Sequence, residues 1–288
     1  MKLKNNLFIG LIFIQISNLF AQTHDWWANN VGWDQKTHYK YYIDIKPARM
    51  GPNAFYYASG FTGILDTQYT LEVKANSYFT KGEITLNPYL SVNIPFGKFA
   101  SLQVSGVPVE YFNTSHELKT ERKIFWIGYY DKWAAGDLNV LFTGKIKSKP
   151  AMAIQVGLKT ATGGRLDLAR FTDSPQYFFN YAISFGNKNT MVHAVSGFTA
   201  WQTFDGDHPQ DDAYIFDFSL DQHLGKAWYL KPELYGFIAY LKHGDRPIIG
   251  KVSLFRKMEH GRFMIEFVKG IVDFPYYGIN LGISRSWR

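Results

Sequence analysis

Cysteine is absent from all 288 residues, so neither a disulfide framework nor a thiolate metal site holds this chain together. An exported protein of this size without disulfides depends on core packing or on a closed hydrogen-bond ladder. After the first twenty residues, no apolar run reaches the roughly 18 residues of a membrane-crossing helix. Lysine and arginine are scattered among acidic residues rather than gathered in a run, which excludes a nucleic-acid track. Neither G-x-S-x-G nor H-E-x-x-H occurs. His193 and Ser196 share an expected strand but stand three apart, on opposite faces. His24, His38, His116, His208, His223, His243 and His260 fall in expected loops or turns. No catalytic residue, metal ligand or cofactor is assigned on these grounds.

Aromatic side chains, in contrast, are abundant: 18% of the chain, with 24 Phe, 19 Tyr and 8 Trp. That content suits a protein that places amphipathic rings at two membrane surfaces. The N-terminus reads as an export signal over 1–21. Lys2 and Lys4 precede the apolar stretch 7–16 (LFIGLIFIQI), and Ala21 offers cleavage before Gln22. The stretch is short for a span of ~30 Å, so cleavage is preferred to anchoring. The formal charge of +7 falls by two once Lys2 and Lys4 are removed. A mildly basic surface suits anionic lipid headgroups.

Most of the remaining chain alternates with period two. Tyr69, Leu71, Val73 and Ala75 oppose Thr70, Glu72, Lys74 and Asn76; Tyr277, Ile279, Leu281 and Ile283 oppose Asn280, Gly282 and Ser284. Each such run has one apolar and one polar face. Twelve strands are expected, over 66–79, 83–94, 99–112, 137–147, 151–159, 177–186, 190–203, 212–220, 227–240, 247–257, 261–270 and 276–287. Ten residues tilted near 45° climb roughly 24 Å, the height of a lipid-facing band.

Short connections (95–98, 147–150, 186–189, 221–226, 258–260) largely alternate with longer ones (113–136, 160–176, 204–211, 241–246). The expected fold is therefore all-β: an antiparallel transmembrane β-barrel over 66–288, with about 12 strands, small periplasmic turns and larger outer loops. A soluble β-sandwich also alternates, but long strands, loop asymmetry and a strand reaching the chain end argue for the barrel. Pro88, Pro108 and Pro232 are expected at bulges or strand ends, because a closed barrel has no free edge for proline. Residues 22–65 form an N-terminal periplasmic or lumen-inserted segment. Within it Tyr39, Tyr41, Ile43 and Ile45 alternate with Lys40, Tyr42, Asp44 and Lys46 as a strand does. That run and 123–130 (KIFWIGYY) could raise the count to 14.

Three stretches carry a resemblance: 46–55 (KPARMGPNAF), 107–112 (VPVEYF) and 157–179 (GLKTATGGRLDLARFTDSPQYFF). They resemble segments of uncharacterised outer-membrane β-barrel proteins of Bacteroidota, channel- or transporter-like barrels. Residues 158–163 (LKTATG) are also similar to a strand end of channel-like barrels linked to aromatic-compound uptake. The resemblance implies fold and location more than activity. The last strand is similar to outer-membrane insertion signals, although Arg288 follows the aromatic Trp287.

Two groups of residues are candidates for selecting a solute. Loop 160–176 carries Gly163-Gly164 with Arg165, Asp167, Arg170 and Asp173, as two Arg–Asp pairs that would pin it or as arginines at a constriction. A self-satisfied outer loop is the plainer reading. Glu72, Lys74, Glu110, Lys145, Lys159, Lys231, Glu233 and Glu266 fall on polar faces and are expected to line the lumen, as a transverse field or a salt-bridged plug. Asp205, Asp207, His208, Asp211 and Asp212 read as a solvated acidic loop, their spacing matching no complete calcium loop.

The function expected is passage of a small polar or anionic solute through the outer membrane of a Gram-negative cell. A closed structural or partner-binding barrel is the alternative, and an outer-membrane lipid hydrolase a more distant one. Outer-membrane lipid, the solute and the barrel-insertion machinery are the expected partners.

Overall fold

The structure is a computed structural model, and it describes residues 28–29, 31–43, 45–124, 132–201, 211–240 and 245–287. The expected export signal, most of 123–130 and the acidic connection at 205–208 lie outside the described residues. Fourteen strands make one sheet: β1 (Tyr69–Thr80), β2 (Glu83–Phe96), β3 (Ala100–Gly106), β4 (Val109–Thr114), β5 (Trp133–Ala135), β6 (Leu138–Ser148), β7 (Ala151–Lys159), β8 (Gln176–Gly186), β9 (Thr190–Trp201), β10 (Asp211–Gly225), β11 (Trp228–Ala239), β12 (Ile248–Met258), β13 (Gly261–Val272) and β14 (Tyr277–Trp287). Every pairing is antiparallel. Val73 of β1 faces Leu90 on one side and Ile283 on the other, so first and last strands meet and the ring closes.

Twelve strands complete that ring. The short β4 and β5 stand outside the count, pairing with each other while β4 also pairs with β2. They prolong the lines of β3 and β6 past interruptions at Val107-Pro108 and Gly136-Asp137.

The wall is inverted relative to a soluble protein. Leu71, Val73, Phe79, Leu281 and Ile283 are exposed, whereas their polar neighbours Asn76, Asn87, Asn280 and Ser284 are buried. A soluble sandwich would bury the first set and wet the second. An outer face this apolar is satisfied only by lipid, and closure leaves no unpaired backbone edge within it. Exposed rings mark both rims: Tyr69, Phe96, Phe99, Phe185 and Trp287 near the short turns, and Phe79, Trp133, Tyr177, Tyr214 and Tyr277 near the long connections. Tyr69 and Trp287 stack at 6.2 Å where the ring closes.

Two of the three prolines correct a sequence expectation. Pro108 does sit at a strand break, but Pro88 and Pro232 lie inside β2 and β11. Each is fully paired on one side only: Pro88 with Ala75 of β1, and Pro232 with Val252 of β12. On the other side the ladder has a gap. The β2 pairings jump from Leu90–Gly106 to Leu86–Tyr111, and the β10–β11 pairings skip Leu220 and Asp221. A missing N–H thus interrupts one ladder while the strand continues.

Residues 39–46 give a second correction. Their alternation suggested a strand, but Tyr39–Tyr42 form a 3-10 helix, followed by another at Pro47–Arg49. All twelve lines of the ring already have both neighbours, so this segment has no ladder to join. It packs instead by its apolar side chains. Ile43, Ile45, Met50, Ala54, Phe55 and Ala58 form one buried cluster with Ala182, Val195, Trp201, Ala213, Ile215 and Phe237, which alternate with the lipid-facing residues of β8 to β11. These contacts lie on the inner side of the wall.

Candidate functional site

The lumen is filled by two pieces of chain, residues 45–63 and the connection 160–175 between β7 and β8. The second folds inward as a short 3-10 helix, Leu166–Leu168, ended by Ala169 in the left-handed region at φ 51°. Leu166, Leu168, Ala169 and Phe171 are buried in the same apolar cluster as the N-terminal segment.

That turn delivers Arg170 to the centre of a polar network. Its Nε donates to Glu110 Oε1 at 2.6 Å, Nη1 to Glu83 Oε1 at 2.6 Å, and Nη2 to Thr85 Oγ1 at 2.8 Å. Its guanidinium also lies 4.5 Å from the centre of the Phe112 ring. Arg122 shares Glu83 through Oε2 and donates to the Tyr276 hydroxyl at 3.0 Å. Burial works against the Arg170 charge, but the Glu110 and Glu83 carboxylates outweigh it and raise its pKa. The N-terminal segment closes the network from above. Asn53 Nδ2 donates to Glu110 Oε2 at 2.9 Å, and Gly51 N–H to the Ala169 carbonyl at 2.7 Å. A Cβ on Gly51 would lie 2.9 Å from Arg170 Cζ, which explains glycine there. The stretches 46–55, 107–112 and 157–179, far apart in sequence, therefore converge on one buried arginine.

Of the four loop residues singled out, Arg165 and Asp167 pair with each other, Nε to Oδ1 at 3.1 Å. The expected second pair, Arg170 with Asp173, does not form. Arg170 is fully committed to Glu83 and Glu110, while burial raises the Asp173 carboxyl above its ordinary value. Arg170 therefore presents no charge to a passing solute.

Most of the residues expected to line the lumen do face inward. Lys74 bridges Glu72 (3.3 Å) and Glu266 (3.2 Å), and Arg262 donates to Glu72 at 2.6 Å. Lys251 reaches Glu233 at 3.1 Å and Glu266 at 4.0 Å, and Lys231 lies 3.7 Å from Glu233. Lys159 pairs with Asp137, whose other oxygen accepts from Gly163 N–H at 2.7 Å and so anchors the start of the loop. Lys145 departs from the pattern, lying exposed at the short-turn end of β6 beside a register shift. These paired charges are thus mutually neutralised, at the distances of buried ion pairs rather than as an open field.

Against this wall the segment 53–63 lies mainly as a hydrogen-bond donor. Tyr56 N–H donates to Gln176 Oε1 (2.7 Å) and its hydroxyl to Gln155 Oε1 (2.9 Å). Ser59 Oγ donates to Glu233 Oε1 at 2.5 Å, and Gly60 N–H is shared between Asp217 Oδ2 and Glu233 Oε1 at 3.1 and 3.0 Å. Burial raises the Tyr56 and Tyr57 phenols far above their ordinary value, so both remain neutral. Flat rings back the segment: Tyr56 stacks on Phe178 at 3.8 Å, and Tyr57 on Phe237 at 5.5 Å.

Where the segment leaves the lumen, Gly63 N–H donates to Ser184 Oγ at 3.0 Å. Ser184 Oγ lies 2.7 Å from His193 Nδ1, and His193 Nε2 lies 3.6 Å from Asp221 Oδ2. Ser, His and Asp in a row invite comparison with a hydrolase, but the imidazole is reversed, with Nε2 towards the carboxylate. The serine oxygen is also covered by the backbone it binds. This arrangement clamps Gly63, where a Cβ would come within 2.2 Å of the Ala151 carbonyl.

Sequence reasoning passed over Glu83, Arg122, Tyr276, Asp217, Arg262 and Ser184. Asp217 carried a signal, because it alternates with Phe216 and Phe218 on an expected strand. Glu83 follows the Lys81-Gly82 turn, and Arg122 lies in a long connection, so neither carried one.

No known protein family matches the chain, and neither does any curated protein. Solved structures do. The COG4313 outer membrane channel from Pseudomonas putida F1 matches with a TM-score of 0.55 over 79% of this chain and 98% of its own, at 11% identity. The NanC porin matches with a TM-score of 0.51 over 75% of this chain and 100% of its own, at 12% identity. At such identities the likeness is one of fold, that of outer-membrane barrels.

Proposed function

We propose that this chain is an outer-membrane channel for a small polar or anionic solute, held closed by its own N-terminal segment. The observation that carries this reading is the lumen itself. A ring that needed only structural stability gains little from buried ion pairs, since apolar residues of similar volume serve as well or better. Here the wall keeps Glu72, Lys74, Lys231, Glu233, Lys251 and Glu266 inward, and Glu233 and Lys251 among them bind the insert through Ser59 and Gly60. The fold likeness to a channel and a porin supports the same reading. The convergence of 46–55, 107–112 and 157–179 supports kinship with the outer-membrane proteins of Bacteroidota that those stretches resemble. Lipid on the outer face and the insertion machinery, engaging β14 through Trp287, complete the set of partners.

A closed structural or partner-binding barrel is the second reading, favoured by the apolar packing among the insert, the inward loop and the wall. Planar-bilayer recording separates the two. The wild-type chain should be nearly silent. The full-length double variant Phe55→Ala/Tyr57→Ala, which removes two rings from the insert and leaves the wall intact, should give frequent conductance steps. Each truncation sacrifices roughly 3–5 kcal/mol of packing. Silence from both proteins, with folded barrel confirmed by heat-modifiable migration, would contradict the channel.

A further inference from the structure

We propose that the solute taken by this lumen is neutral and rich in hydroxyl groups, of the carbohydrate class, rather than anionic. The proposal rests on the channel reading and deepens it. The insert shows what the wall binds, because its polar groups occupy the positions that an entering solute would take over. Toward the wall those groups mostly donate: Asn53 Nδ2 to Glu110, Tyr56 N–H to Gln176, Tyr56 O–H to Gln155, Ser59 O–H to Glu233, and Gly60 N–H to Asp217 and Glu233. Against them stand three acceptances, from Gln176 Nε2 to the Tyr56 carbonyl, from Lys251 Nζ to Ser59 Oγ and from the Tyr276 hydroxyl to the Met50 carbonyl.

When the insert withdraws, Glu110, Asp217 and Glu233 lose donors inside a narrow lumen. A carboxylate there costs free energy until another donor reaches it. The cations nearby do not compensate an incoming anion. Arg170 is saturated by Glu83 and Glu110, while Lys251 is already between Glu233 and Glu266. An anionic solute brings more acceptors to a wall of acceptors. A polyol brings O–H donors, and each hydroxyl also accepts, as Ser59 does between Lys251 and Glu233.

The rings add a second requirement. Phe178 and Phe237 offer flat faces beside this acceptor track, covered at present by Tyr56 and Tyr57. A solute that satisfies both must alternate polar edges with an apolar face. Sugar rings have that form, with equatorial hydroxyls at the edge and C–H groups on the face. Selectivity in a pore follows from such lining groups as well as from its width.

The test uses the full-length Phe55→Ala/Tyr57→Ala channel in a planar bilayer, with maltotriose and tri-galacturonate as size-matched neutral and anionic probes. Maltotriose should interrupt the ion current at about tenfold lower concentration, the ratio corresponding to one hydrogen bond left unmade. Adding Glu233→Gln keeps an acceptor oxygen and removes the charge that occupies Lys251 and Lys231, so the gap between the two sugars should narrow. Adding Phe178→Ala should weaken interruption by maltotriose. Equal or stronger interruption by tri-galacturonate would overturn the proposal and leave the channel standing. So would steady current that neither sugar interrupts. Absence of conductance steps would overturn both.

Discussion

Replacing Arg170 with methionine is expected to destabilise the folded chain by about 3–5 kcal/mol, the cost of stripping a partner from buried charges. Methionine is near arginine in length and fits against Phe112, so the loss comes from charge rather than volume. Glu110 would lose its Nε partner and Glu83 one of two arginines, while both remain buried. The effect should also spread. Asn53 binds the same Glu110, and Gly51 binds the carbonyl of the residue before Arg170, so the insert and the inward loop share this anchor. Urea unfolding in liposomes measures the loss, and limited proteolysis should show both segments cut earlier than in the wild type. The companion change Glu110→Gln should cost less, because the amide can still accept from Arg170 and Glu83 still neutralises it. A methionine variant within 0.5 kcal/mol of wild type, the range of ordinary surface changes, would show that the network is not an anchor.

A second large effect is expected on the opposite face. Leu281 is 49% exposed in the middle of β14, between Ala75 and Ile265. On a soluble protein, Leu281→Arg at such a position would be nearly neutral, within about 0.5 kcal/mol. Facing hydrocarbon, it should cost about 2–4 kcal/mol, because an arginine at the bilayer midplane must be desolvated or must drag water and headgroups inward. Equilibrium unfolding of the variant in liposomes distinguishes the two environments. A near-neutral result would mean that the exposed apolar face meets water.

The strands were legible in the sequence because their signal is local. A period-two alternation needs only neighbours along the chain, and 177–186 and 261–270 fall within two residues of β8 and β13. The inward orientation of Glu72, Lys74, Glu233 and Glu266 came from the same parity. Partner choice is a different matter. Asp173 stands three residues from Arg170, and proximity along the chain suggested the pair. The actual partners, Glu110 and Glu83, lie 60 and 87 residues away, and only ring closure brings them together. The 3-10 helix at Tyr39–Tyr42 escapes the sequence for a related reason. Its alternation is strand-like, but a strand needs an open edge, and whether an edge is open depends on how many other strands close the ring. Pro88 and Pro232 show the same limit: proline chemistry required an interruption, and only the register showed that one ladder could be interrupted while the strand continued.

The closed lumen is tested most directly by cysteine accessibility, since the natural chain has none and any added thiol is unique. Ala58→Cys places the thiol on a fully buried residue of the insert, and Tyr41→Cys places it on a half-exposed residue of the same N-terminal segment. With a membrane-impermeant maleimide and the folded protein in liposomes open to reagent on both sides, the thiol at 41 should label rapidly. The thiol at 58 should remain unlabelled until the barrel is unfolded in urea. Labelling at 58 as fast as at 41 in the folded protein would contradict a lumen closed by its own N-terminal segment.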